Sequence, residues 1–172
     1  MIRTILVPLD GSPTGEAALP LAGELARGLN ARLVLMCVAG PETALDLAFT
    51  DQDRQLIAEQ YAGVTEEEHV LSTDPRMIEH ARGQVRAIAE AERYLAAVAA
   101  RLAEQGIAVG TAVPYGKAVE GILTEIDVRE ADLVVIATHP HSRLRRMVGG
   151  GVAQELSARS PVPVLLVPRE PA

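Results

Sequence analysis

The sequence predicts a doubly wound α/β domain, and three observations lead to it. Five short apolar runs alternate with segments whose apolar residues recur at helical spacing. The runs are continuous rather than alternating, the pattern of strands covered on both faces in a parallel sheet. The connections between them are long enough to hold a helix, and parallel neighbours need such a crossover, which is right-handed in nearly every case.

The elements follow in order. Ile2 to Leu9 is an apolar run that ends at Asp10-Gly11-Ser12-Pro13 and reads as a buried strand entering a turn. Ser12 suits an N-cap and Pro13 the first helical position, where a fixed φ fits and the missing N–H has no intrahelical partner to lose. Ala18, Leu21, Ala22, Leu25 and Leu29 then share one helical face, with Gly28 and Asn30 as the stop. Arg32 to Val38 is the second strand, closed by Gly40-Pro41. From Glu42 to Thr73 the pattern is irregular, although Leu56, Ile57, Gln60, Tyr61 and Val64 suggest a short amphipathic helix before Glu66-Glu67-Glu68. Asp74-Pro75 reads as the cap and first position of a long helix. Its apolar stripe includes Ile78, Ala81, Val85, Ile88, Leu95, Val98 and Leu102, and it ends at Gly106. Gly83 weakens its early part by about 1 kcal/mol relative to alanine. Ile107 to Val113 follows as a strand, Val119 to Arg129 as a helix with Ile122 and Ile126 inward, and Leu133 to Ala137 as a strand. A short helix at Val152 to Ala158 and a strand at Val162 to Val167 complete the series. One domain over residues 1–172, with a helical insertion at approximately 42–105, is the expected organisation.

Composition narrows the function classes. Aromatic residues make up 2% of the 172 residues, with no tryptophan, so the core rests on Ala, Val, Leu and Ile and few platforms exist for stacking nucleic-acid bases. The net charge of −7 opposes attraction to DNA or anionic lipid. Neither a nucleic acid nor a membrane is an expected partner. Cys37 is the only cysteine, which excludes an internal disulfide and fits a reducing compartment. The first residues run straight into the apolar strand without the pattern of a signal peptide, so the expected location is cytoplasmic.

In an open parallel sheet, ligands bind beyond the carboxyl ends of the strands, where the strand order reverses. Two such ends carry polar or glycine-rich sequence. At the first, Asp10 either meets a ligand or only organises the turn. At the second, Thr138-His139-Pro140-His141-Ser142-Arg143-Leu144-Arg145-Arg146 leads through Gly149-Gly150-Gly151 to a helix start, where backbone N–H groups can cradle phosphate. Arg143, Arg145 and Arg146 read as a phosphate clamp or as a solvated basic turn, since Lys117 is the only lysine and arginine is the background cation. His139 and His141 have a spacing that suits a metal, but no third ligand is near, so they are expected to line the loop. Cys37 reads as a small buried hydrophobe. No nucleophile is paired with a base in the local sequence, so the chain is not expected to be an enzyme.

Ile5-Leu6-Val7-Pro8-Leu9-Asp10-Gly11-Ser12, Ala131-Asp132-Leu133-Val134-Val135-Ile136, Val152-Ala153-Gln154-Glu155-Leu156 and Pro161-Val162-Pro163-Val164-Leu165-Leu166-Val167 together resemble the universal stress protein family. The resemblance covers both ends of the chain and leaves about Pro41 to Glu104 poorly matched. It implies five parallel strands in the order 3-2-1-4-5, a homodimer and, in one branch of the family, an ATP site. That branch carries Gly, two residues, Gly, nine residues, then Gly followed by Ser or Thr. Here the four positions are Ala137, Pro140, Gly150 and Gly151, and Gly150 alone matches. Proline at 140 has no backbone N–H for a phosphate oxygen, and Gly151 lacks the hydroxyl. Asp10 and Val38 match the positions that meet the nucleoside end. Asp10, Val38, Gly150, Gly151 and Arg143 are therefore the candidate ligands for ATP or AMP.

The leading expectation is a non-catalytic stress-response protein, acting as a homodimer through Val162–Val167 and contacts with an unidentified protein partner, with weak or absent nucleotide binding. The alternatives are an ATP/AMP-binding regulatory switch and an adenine-nucleotide hydrolase or transferase. Against the last stand the missing P-loop pattern and the absence of a lysine near the glycines.

Overall fold

The computed structural model describes residues 1–40, 75–138 and 151–168, with side chains of the long helix described from Gly83 onward. Strand β1 spans Thr4–Pro8, helix α1 Leu19–Leu29, β2 Arg32–Met36, α2 Pro75–Ala103 and β3 Val109–Ala112. Helix α3 spans Ala118–Val128, β4 Leu133–Thr138, α4 Val152–Arg159 and β5 Val164–Pro168. All strand pairs are parallel, in the order β3-β2-β1-β4-β5.

Successive side chains of a strand point to opposite faces, and here both faces are covered. Ile5, Val7, Leu33, Leu35 and Val135 pack with Ala22, Ala26, Leu95, Val98 and Leu102 of α1 and α2. Leu6, Val34, Met36, Val134 and Ile136 pack with Ile122, Ile126 and Leu156 of α3 and α4. This explains why the strands read as unbroken apolar runs: every position from Ile5 to Val7 and from Val134 to Ile136 is buried. A fully buried aliphatic side chain contributes about 1.5–3 kcal/mol relative to exposure.

Two expectations need correction. Helix α1 does not begin at Pro13. A 3-10 turn at Gly15–Ala18 precedes it, and α1 itself starts at Leu19 with a proline in its first turn, Pro20. Ser12 still performs the bond of a capping side chain, since its hydroxyl accepts the Gly15 N–H at 3.0 Å. The stripe of α2 also fails at one position: Val85 is 68% exposed, whereas Ala91, Leu95, Val98 and Leu102 are buried. At 3.6 residues per turn Val85 lies about 80° around the helix from Leu95, at the margin of the buried stripe. Asn30 closes α1 in the left-handed conformation, with φ 54°, as a helix-terminating asparagine does. The expected helix near Leu56 to Val64, the acidic triplet Glu66-Glu67-Glu68, the cap Asp74 and the side chains of Ile78 and Ala81 lie outside the described residues.

Candidate functional site

The strand order reverses beside β1, whose neighbours are β2 and β4. Leu9 extends β1 by donating its N–H to the Met36 carbonyl at 2.8 Å, so the chain exits beside the end of β2. Asp10 then stands exposed at this rim. Its Oδ1 accepts the Ser12 N–H at 2.9 Å and the Ser12 hydroxyl at 2.6 Å. Asp10 therefore does organise the turn. Gly11 takes φ +76°, a conformation that favours glycine.

Glu16 ties this turn to α2. Its carboxylate accepts from the Tyr94 hydroxyl at 3.2 Å and from the Arg101 guanidinium at 2.8 Å. Burial, and then the charge of Glu16, hold the Tyr94 phenol well above its ordinary range. Cys37, just past β2, is half-buried, and burial followed by the charge of Asp10 raises its thiol. Both causes disfavour the thiolate, in line with a small hydrophobe.

Val38 lies on the other face, half-buried against the α3 side. Close approaches at two glycines frame it: Gly40, which closes the second strand, and Gly121, which the sequence does not single out. A Cβ on Gly121 of α3 would come within 3.1 Å of Val38 Cγ2, and one on Gly40 would strike the Gly116 carbonyl oxygen. The backbone beyond β2 runs along the segment after β3, with Ala39 donating to the Pro114 carbonyl at 2.9 Å and accepting from the Gly116 N–H at 2.8 Å. Asp10 and Val38 thus occupy adjacent strand exits, on the carboxyl end where ligands of such sheets bind.

Gly151 is the N-cap of α4, with φ −62° and ψ 165°, and its carbonyl accepts from the N–H groups of Gln154 and Glu155. The first turn of a helix leaves N–H groups without intrahelical partners and favours an anion. Gly150, Arg143, Arg145, Arg146, Pro140, His139 and His141 lie outside the described residues. Among the described residues no group of three or more His, Cys, Asp or Glu could hold a metal ion. Nor is any helix among them long and apolar enough to cross a membrane. For an adenine nucleotide, the fit would be one-sided: a carboxylate and an apolar side chain stand at the carboxyl ends of β1 and β2, while the cap position of α4 offers a backbone without a hydroxyl.

Asp132 shows a contact that the sequence does not reveal. Its Oδ2 accepts the N–H groups of Arg3 at 2.7 Å and Thr4 at 3.0 Å, which joins the entries of β4 and β1. Those two bonds, Arg3 first, hold its carboxyl below the usual range.

A parallel sheet in this order, wrapped on both faces, with a polar turn after the first strand, defines a doubly wound α/β class of fold. The chain matches the universal stress protein family over residues 1–168 and belongs to it. It is 27% identical over 168 residues to the stress response protein NhaX of Bacillus subtilis, covering 95% of this chain and 96% of that protein. Universal stress protein UspA from Lactobacillus plantarum has the same fold, with a TM-score of 0.64 at 18% identity over 96% of this chain and 97% of that one. So does a universal stress protein crystallised in complex with cAMP, with a TM-score of 0.56 at 20% identity over 96% of each chain.

Proposed function

We propose that this universal stress protein is a non-catalytic stress-response protein that works as a homodimer and binds adenine nucleotide weakly at best. The observation that carries the reading is the uneven quality of the site. Asp10 and Val38 are held at adjacent strand exits by a hydrogen-bonded turn and by close glycine packing. The residues at 140 and 151, in contrast, are proline and glycine. Proline has no N–H to donate. A hydrogen bond to a charged group contributes about 1.5–3 kcal/mol, so one missing donor weakens phosphate binding roughly ten- to a hundredfold. Calorimetry with ATP tests this, with a dissociation constant of about 100 μM or weaker expected. Submicromolar binding overturns it and makes the chain a nucleotide switch, with Arg143, Arg145 and Arg146 supplying the lost contacts.

The switch is the second reading, favoured by the cAMP complex of a protein with this fold. Mass analysis of any nucleotide released when the purified protein is denatured separates the two readings. A stoichiometric adenine nucleotide supports the switch, and none supports the weak binder.

A further inference from the structure

At the end of the sheet opposite the nucleotide site, a groove of about 640 Å³ opens between the strand entries and the ends of three helices. Its size falls in the range of small-molecule sites. The helices α1, α2 and α3 finish beside it, each through a left-handed residue: Asn30 at φ 54°, Gly106 at φ 76° and Glu130 at φ 50°. Arg3, Arg27 and Arg32 line it, together with Glu130 and Asp132.

These three arginines differ from four of the five other arginines whose side chains are described. Arg86, Arg101, Arg129 and Arg159 each pair with a glutamate within 3.0 Å. Arg3, Arg27 and Arg32 have no carboxylate at ion-pair distance among the described residues. Two of them are nevertheless held in place by neutral acceptors. Arg32 donates from Nε to the Thr4 hydroxyl at 3.1 Å and from Nη2 to the Arg129 carbonyl at 3.2 Å. Arg27 donates from Nη1 to Gln105 Oε1 at 3.2 Å. A guanidinium carries five N–H donors in a rigid fork, so each keeps donors to spare.

Part of this placement answers the partial negative charge of the helix ends, and the bond from Arg32 to the Arg129 carbonyl is of that kind. That explanation covers Arg27 as well, in the last turn of α1, but does not extend to Arg3, which precedes β1. Of the two carboxylates, Asp132 is already engaged by two backbone N–H groups. Glu130 remains on the rim as an acceptor for hydroxyl groups.

We propose that this groove binds a small phosphorylated polyol or sugar, its phosphate held by Arg3, Arg27 and Arg32 and a hydroxyl by Glu130. Forked guanidinium donors match the geometry of a phosphate, and the two carboxylates weigh against a longer polyanion.

Amide spectra of the full chain, titrated with inorganic phosphate and then with ribose 5-phosphate against sodium chloride at equal ionic strength, test the assignment. The amides of Asn30, Ala31, Arg32 and Gly106 shift with phosphate and not with chloride, and ribose 5-phosphate binds more tightly than phosphate. Arg3→Gln with Arg27→Gln, both at exposed positions, weakens binding of ribose 5-phosphate at least about tenfold while spectral dispersion is kept. Three results overturn the proposal: shifts that chloride reproduces, shifts confined to Asp10–Gly15 and Gly151–Gln154, or unchanged affinity in the double variant. The outcome is independent of whether ATP binds at the other end.

Discussion

The carboxylate of Asp10 and the residue two positions on, Ser12, are joined twice, through the backbone N–H at 2.9 Å and the hydroxyl at 2.6 Å. The hydroxyl in turn receives the Gly15 N–H at 3.0 Å, which closes the turn on itself. Gly15 is held to glycine by the same geometry, because a Cβ there would collide with Asp10 Oδ1. The proposed site and the fold therefore meet at one position: the Asp10 carboxylate is aimed by the turn that admits α1.

Gly15→Ala is expected to destabilise the protein by about 1–3 kcal/mol, the usual cost of forcing an extra carbon into a packed site. Gly28→Ala in α1 has nothing within 4 Å of the new carbon and is expected to stabilise by about 0.5–1 kcal/mol through helix propensity. Urea denaturation of both variants checks the contrast. Equal effects at the two sites would mean that Asp10 moves aside freely and that the turn does not aim it.

Asp132 gives a prediction in pH. Its folded pKa is lowered by the Arg3 and Thr4 N–H groups, so its stabilisation is present above the ordinary aspartate range and is lost as pH falls through the lower folded value. Asp132→Asn should therefore lower the melting temperature at pH 6, with the gap to the parent protein narrowing below about pH 4. Thermal melts across pH 2.5 to 7 measure it, and a constant gap would assign the effect to geometry rather than to charge.

The strands were readable in the sequence because burial on both faces leaves no polar position to blur the run, as Ile5-Leu6-Val7 and Val134-Val135-Ile136 show. The stripe of α2 was readable as a helix but not in its extent. Val85 lies at the margin of the stripe set by Leu95 and Leu102, and spacing alone does not show where that stripe stops being core. Ser12 carried the chemistry of a cap, yet the intervening 3-10 turn has no local signature. At the site, Asp10 stood out as a carboxylate leaving a buried strand, whereas Gly121 acts through its contact with Val38 on a distant element. The bond from Arg3 to Asp132 spans 129 positions, beyond any pattern of spacing. The arginines of the lower groove were obscured because arginine is the common cation of this chain.

Restoring the phosphate side should restore affinity. Gly151 has extended backbone geometry at the start of α4, and a Cβ there meets open space, so serine fits without strain and adds a capping hydroxyl. Pro140→Gly returns a backbone donor. The double variant Pro140→Gly with Gly151→Ser is expected to bind ATP at least about tenfold more tightly than the parent by calorimetry. A folded double variant with unchanged affinity would show that phosphates do not bind at this loop.

The last prediction concerns β5, at the edge of the sheet. It pairs with β4 from Val134↔Val164 to Thr138↔Pro168, and its other side has no partner strand among the described residues. An exposed strand edge offers N–H and C=O groups to another chain, and proteins that avoid this place charge or proline along it. Here Val162-Pro163-Val164-Leu165-Leu166-Val167-Pro168 carries no charge, and the two prolines limit pairing to a short stretch, which favours a closed dimer over open-ended growth. The structure also selects the better probe. Val164 packs against the α3 and α4 face and Leu165 against the α1 and α2 face, whereas Leu166 is 42% exposed. Leu166→Lys therefore adds a charge at the proposed interface while leaving the core intact. Light scattering at tens of micromolar is expected to give a dimer for the parent protein and a monomer for Leu166→Lys. A monomeric parent removes the dimer, and a folded variant that remains dimeric places the interface elsewhere.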